Sequence, residues 1–533
     1  VVIQILTPPF LRKRTYLFFL ADLRSLYLFL IFLFMRNIYK QIGFLLLLGI
    51  FSNLNYAQIQ KGSDIDGEDT GDRSGWSVSM PDGNTVAIGA PQNDDNGGNS
   101  GQVRVYQWSG TAWTQKGIDL DGDAPGDLFG GTVCMPNANT LAVGAPENGF
   151  ADTDAGLVKV FDWNGNAWTQ KGPTLYGDST PGFFGGLFGS SVSMPDANTL
   201  AVGAPWFDLS GSLSGQVKIF DWQGGNWVQR GASITGTAYS YTGSIVCMPS
   251  ANVIGVVTQG ATPGNKGKVQ IFEWDGTQWL LKGNPIEGEN TGDLSGSSMD
   301  MPDENTIAIG AIENDGGAGK AGHVRIFIWD GSAWIQKGSD IDGEAPNDES
   351  GNAVSMPDAN TIAIGAILNG GNGMQGGHTR IFTWDGTDWV QFGLDIDGEA
   401  AQDKSGYSLS MPDANTVAIG AIQNDAVNGS QFKNEAGHVR IYQLSATFGI
   451  QEGKEMKITS IHPNPTKGDL TLDFGQNLKD AKLILRNVIG QEVWSANNIS
   501  GNTWTTSLTC QPGTYYLQVQ TENMQSTIKV IKE

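Results

Sequence analysis

The chain has 533 residues, of which 73 are Gly, 10 % are aromatic and 16 % are charged. Such a length allows two or more domains and a large core, and Gly-punctuated runs of β-branched and aromatic residues predict an all-β protein. The net charge is −23; beyond residue 57 it is −28, from 26 basic and 54 acidic residues, which argues against nucleic acid and anionic membrane surfaces as partners.

Residues 15–34, TYLFFLADLRSLYLFLIFLF, read as a membrane span interrupted by Asp22 and Arg24. From Met35 the text changes. Arg36 and Lys40 precede a short apolar run, IGFLLLLGIF, and then SNLNYAQ. This is the layout of a secretory signal peptide. We therefore expect residues 1–34 to lie upstream of the true start and 35–57 to be a leader cleaved after Ala57. The mature chain would then have no stable membrane span. A genuine N-terminal anchor is the competing reading.

From residue 58 a phrase recurs, as in SVSMPDANTLAVGAPW at Ser191–Trp206. Its Met falls at Met80, Met135, Met194, Met248, Met301, Met356 and Met411, with spacings of 53 to 59 residues. Periods of that size indicate propellers or solenoids. One unit reads as four strands: Ser190–Met194, a PDAN turn, Thr199–Ala204, a variable loop, Gly215–Trp222, a short turn, and Trp227–Gly231. Strands one to three occur seven times, but the fourth follows only six copies, at Trp113, Trp168, Trp227, Trp279, Trp334 and Trp389. A seventh version, QIQKGSDIDGE, stands ahead of copy one at Gln58–Glu68. A ring explains this permutation, since the N-terminal strand completes the last blade and leaves no open edge. We expect a seven-bladed β-propeller over 58–447.

The phrases FGGTVCMPNANTLAVGAP (Phe129–Pro146) and FGSSVSMPDANTLAVGAP (Phe188–Pro205) resemble FG-GAP repeats, the unit of the integrin-α-type propeller. Several copies carry Ser-Gly in place of Phe-Gly, and copy four diverges most, at Asn252–Gly260.

The connection from strand four to strand one repeats acids at positions 1, 3, 5 and 9. The full sets are Asp64, Asp66, Glu68 and Asp72; Asp119, Asp121, Asp123 and Asp127; Asp340, Asp342, Glu344 and Asp348; and Asp395, Asp397, Glu399 and Asp403. Alternate loop carboxylates suit Ca²⁺, which takes six to eight oxygens, and the spacing is that of integrin-type calcium loops. However, the resemblance places the calcium loop between strands one and two and its Gly at position 6, whereas Gly67 here is at position 4. The other reading is a solvated turn whose carboxylates bond nearby backbone N–H groups. Twelve of the 16 Trp flank the turn between strands three and four in register, which suits packing. Trp206 lies in a variable loop without counterparts and is a candidate contact residue. His323, His378 and His438 share one position at the start of strand three and read as sheet-edge side chains. Cys134 and Cys247 occupy one repeat position, and the three Cys form neither a disulfide framework nor zinc spacing. Nucleophile-elbow, P-loop and HExxH patterns are missing, so no catalytic residue is assigned.

After residues 448–457, read as a linker, the repeat stops. Residues 458–533 read as short alternating strands, a small Ig-like β-sandwich. Their motifs are His462-Pro463-Asn464-Pro465, Asn487-Val488-Ile489-Gly490, Pro512-Gly513-Thr514-Tyr515-Tyr516 and Lys529-Val530-Ile531-Lys532. They resemble the type A C-terminal sorting domain of the type IX secretion system. That resemblance implies a partner in the secretion machinery and a product secreted or displayed on the outer-membrane surface of a Gram-negative bacterium. We thus expect a non-enzymatic binding or adhesion protein for an extracellular glycan or protein. An exported polysaccharide-active enzyme and a structural matrix protein are the alternatives.

Overall fold

The computed structural model describes residues 54–149, 154–179, 185–260, 264–428, 431–448, 454–455, 460–487, 492–521 and 524–533. The upstream stretch and nearly all of the expected leader and linker lie outside them. The chain divides into two compact units, one spanning Tyr56–Ser445 and one containing Ala446–Glu533.

The first unit is a seven-bladed propeller. Every blade is an antiparallel sheet in which strands one, two, three and four are neighbours in that order. In blade three these are Ser191–Asp196, Thr199–Ala204, Gln216–Gln223 and Asn226–Gln229. The fourth strand differs from the sequence expectation. It continues as a second piece, Ile234–Thr235, that pairs again with strand three. Between the pieces stands a Gly of positive φ, such as Gly62 at 86°. A Cβ there would lie 2.8 Å from the Trp108 ring and 2.9 Å from that of Trp113, both in the next blade. The break is where the neighbouring tryptophans press on the strand, and only Gly fits.

Strand one is innermost, and first strands of successive blades pack against each other round the whole circle, blade seven against blade one included. Strand two is wholly buried in all seven blades, from Thr85–Ala90 to Thr416–Ala421. The PDAN-type turn is closed by its own Asp: Asp82 Oδ1 accepts the Asn84 N–H at 2.7 Å. The recurring Gly of "GA" has a contact reason. A Cβ on Gly203 would lie 2.0 Å from the carbonyl oxygen of Gly243 in the next blade, and that oxygen accepts the Ser191 hydroxyl at 2.9 Å.

The circle closes as the repeat arithmetic predicts. Strand Leu54–Gln60 pairs with the third strand of blade seven. Ile65 and Asp66 then pair with Val439 and His438, and the Lys61 N–H donates to Ile441 O at 2.7 Å. Buried Ile65 packs with Met80, Val86, Ile88, Ala418, Val439 and Ile441.

The second unit is a six-stranded sheet. It is one curled sheet, not the two separate sheets of a sandwich. Its long strands, Asp469–Asn487 and Glu492–Ser507, pair through four register irregularities. Such bulges bend a sheet, and here it wraps a core that includes Leu472, Phe474, Leu483, Leu517, Val519 and Val530. The PNP motif clasps the last strand: Asn464 Nδ2 donates to Lys529 O, and Asn464 Oδ1 accepts the Ile531 N–H, both at 2.8 Å.

Candidate functional site

The acidic connections and the variable loops between strands two and three lie at one end of the blades and bond to each other. The four carboxylates of one connection do not gather around one point, as a single calcium ion would require. Each serves a different place.

Position nine is interior. Asp72, Asp127, Asp348 and Asp403 are at most 3 % exposed. Asp403 Oδ2 accepts the N–H groups of Glu399 and Ala400 at 3.0 and 2.8 Å and the Asn424 amide at 3.2 Å. The same Asn, 21 residues on, serves Asp72 (Asn93), Asp127 (Asn148), Asp293 (Asn314) and Asp348 (Asn369). This bond ties the two loop sets into one rigid face. Burial raises the Asp72 carboxyl above its usual value even so.

Position three lies on the second piece of strand four, opposite the first residue of strand three. Asp66 faces His438, Asp121 faces Gln102, Asp342 faces His323 and Asp397 faces His378. Position five bridges blades. Glu68, Asp123, Glu344 and Glu399 pair with Arg104, Lys159, Arg380 and Arg440 on strand three of the following blade, as do Asp178 with Lys218 and Glu289 with Arg325.

Position one meets position five of the preceding connection, with a histidine between them. Three such groups form: Glu289, His323 and Asp340; Glu344, His378 and Asp395; and Glu399, His438 and Asp64. The histidines are therefore interior, each 1 % exposed, and not edge side chains. His323 Nδ1 lies 3.6 Å from Asp340 Oδ2. His378 Nδ1 lies 3.8 Å from Asp395 Oδ2 and 4.0 Å from Glu344 Oε2, and His438 Nδ1 lies 3.9 Å from Glu399 Oε2. Burial first, and then the adjacent arginine, holds all three imidazoles below their usual pKa, that of His438 at about 4. Blade one keeps the acids Glu68 and Asp119 but carries Gln102 in the histidine's place.

The repeated tryptophans pack between blades. Trp113, Trp168, Trp334 and Trp389 donate their indole N–H to the carbonyls of Lys61, Lys116, Lys282 and Lys337 in the preceding blade. Blade seven has no such Trp; there Gln58 lies over Gly393 and donates to Leu394 O at 2.7 Å.

At the propeller's axis one residue breaks the repeat. The position before each Met is Ser or Cys in six blades and Asp300 in blade five. At Ser79, Cys134, Ser193, Ser355 and Ser410 that side chain receives the next blade's Met N–H, as Ser79 does from Met135 at 2.9 Å. Asp300 accepts the N–H groups of Met301 and Met356 at 2.8 and 2.6 Å and faces the Cys247 thiol at 3.6 Å. Burial pushes the Cys134 thiol up to about 11 and Cys247 well above its usual value, so both stay protonated. Burial also raises the Asp300 carboxyl. A raised native pKa favours the folded state below the ordinary carboxylate value, and that advantage is lost as pH rises through the native pKa. Relative to the parent, Asp300→Ser should therefore gain stability from about pH 4 upward and then level off; a melting-temperature difference that does not change with pH would contradict this.

Residues 57–106 match the FG-GAP repeat family, and residues 460–533 match the secretion system C-terminal sorting domain family. No curated protein matches the sequence. Among solved structures, a hypothetical selenium-binding protein from Sulfolobus tokodaii is 10 % identical over 60 % of this chain and 79 % of its own, at a TM-score of 0.38. AofleA from Arthrobotrys oligospora is 14 % identical over 65 % and 94 %, at 0.36. The β-propeller domain of the Trilobed protease from Pyrococcus furiosus is 11 % identical over 64 % and 90 %, at 0.37. No helix among the described residues is long and apolar enough to cross a membrane. The chain is thus a seven-bladed propeller with a match to the FG-GAP repeat at residues 57–106, followed at 460–533 by a match to the secretion system C-terminal sorting domain, which marks it for export to the cell surface or the medium.

Proposed function

We propose that the exported propeller is a non-enzymatic binding protein whose loop face engages an extracellular glycan or protein. The observation that carries this reading is a set of exposed apolar side chains on abutting loops of blades three and four. Trp206, Leu209 and Tyr239 are 38, 62 and 58 % exposed. Their loops touch, since the Tyr239 N–H donates to Ser212 O at 2.7 Å and Gly211 packs on Ala238. This is also where the ring's acids run out: the connection after blade three, Gly236–Ser244, holds none. Exposed aromatics on a rigid frame are what sugar stacking and protein contact use.

Binding of the purified propeller to a glycan array and to intact cells tests this. Trp206→Ala with Tyr239→Ala should weaken binding at least tenfold, which is about 1.4 kcal/mol, with an unchanged melting temperature. Equal binding by the double variant would refute the assignment of this face.

A further inference from the structure

We propose that the three His–carboxylate groups at successive blade junctions are binding sites for a divalent first-row transition ion, with Zn²⁺ as the type case.

The ligand atoms of each group already lie within 4.8 Å of one another. A zinc ion with bonds of about 2.0–2.2 Å holds its ligand atoms about 3.4 Å apart, so the carboxylate oxygens now 3.6 to 4.0 Å from Nδ1 would close by about 0.2–0.6 Å and the widest pairs by up to about 1.4 Å. The set is one imidazole and two carboxylates, which leaves an open fourth position, as in zinc sites with three protein ligands. Imidazole selects against Ca²⁺, which prefers oxygen throughout.

Two features separate these groups from ordinary surface acids. First, the buried Nδ1 atoms of His323 and His438 have no hydrogen-bond partner and face the carboxylates. An unpaired buried polar atom is costly, and a metal bond would satisfy it. Second, each carboxylate is held from behind. In the second group, Asp395 Oδ1 accepts the Gln391 amide at 2.7 Å while Oδ2 faces His378. Glu344 Oε1 pairs with Arg380 at 3.7 Å while Oε2 faces the same histidine. The first group repeats this with Gln336 and Arg325, and the third with Gln60 and Arg440. Such outer partners orient metal ligands. The third group has a further consequence. Asp64 comes from the N-terminal segment, so an ion there would staple the closure of the ring.

The test uses the full chain, stripped with chelator and then titrated with Zn²⁺, with bound metal counted by plasma mass spectrometry. Three Zn²⁺ per chain are expected, one for each group. Each of His323→Gln, His378→Gln and His438→Gln should lose one equivalent; Gln102 fills this place naturally in blade one, so Gln suits the site. Excess Ca²⁺ should not displace the metal. Zn²⁺ should raise the melting temperature of the parent more than that of His438→Gln. Co²⁺ in place of Zn²⁺ should show the visible absorption of a tetrahedral site, diminished in each variant. An absence of Zn²⁺ uptake by the parent, or full stoichiometry in all three variants, would overturn the proposal. Should a histidine variant lose its β-sheet circular dichroism, the Glu289→Gln, Glu344→Gln and Glu399→Gln series gives the same count. Metal stoichiometry is read without any ligand, so its failure is distinct from failure of the binding face.

Discussion

A chain lacking everything through Asp66 is expected to lose the propeller's single cooperative melting transition. Without that segment, strand three of blade seven has a bare edge. The Lys61 N–H donor to Ile441 is gone, as is the pairing of Ile65 and Asp66 with Val439 and His438, and the Trp113 indole loses the Lys61 carbonyl. Buried apolar surface at both flanking junctions opens to water, because Ile65 packs against residues from blades one and seven alike. Exposed edges also invite pairing between chains, so the truncated protein should elute as aggregate. A gentler version, Ile65→Ala, removes a nearly buried side chain and should cost about 2–5 kcal/mol, read by calorimetry or denaturant melts. A truncated chain that melts cooperatively within a few degrees of the parent would show that the ring does not need its first strand.

The second large effect concerns contact between blades. Gly203→Ala puts a methyl 2.0 Å from the Gly243 carbonyl oxygen and 2.4 Å from the Ser191 hydroxyl that bonds it. Both neighbours are fixed by the packed sheets, so blades three and four must separate. The expected loss is about 3 kcal/mol or more, the upper part of the overpacking range. Gly98→Ala is the control: nothing lies within 4 Å of a Cβ there, and its change should stay within about 0.5 kcal/mol. Equal melting temperatures for the two variants would mean that the glycine contact is not what holds the blades together. Blade four distributes this space differently. Gly255 stands where blade three has Ala201, with the Met299 and Met301 sulfurs about its absent methyl, while Val257 packs on Gly296.

Why the phrase repeats is visible in these contacts. The Gly of one copy receives the backbone of the next, the KG glycine receives the next tryptophan pair, and the residue before Met receives the next Met N–H. Each copy is complementary to its successor, so a change in one junction must be answered in the next. The acid and the base at position five follow this rule. Blade four carries Gln270 where its fellows have Arg or Lys, and the connection entering blade four is the one without acids. That joint change was present in the text as a signal for a salt bridge between blades, although the loops taken by themselves read as solvated turns or as ion ligands.

Much was determined by the sequence alone: the all-β class, seven units, the permuted fourth strand, ring closure, and the sorting tail. The first four rest on local periodicity and on counting, which need no knowledge of neighbours, and the tail rests on the resemblance of its motifs to a known sorting domain. Only the tertiary structure decided where the side chains at the junctions went. A one-dimensional reading groups Asp64, Asp66, Glu68 and Asp72 because they are adjacent. Folding separates them: one meets His438 and Glu399, one pairs along the strand, one reaches Arg104 and one turns inward to its own loop. The alternation of a strand sends successive side chains to opposite faces, and the rotation between blades brings residues more than 300 positions apart within a few ångströms. The same geometry buried the three histidines, because the start of strand three lies beneath the connections of two blades at once.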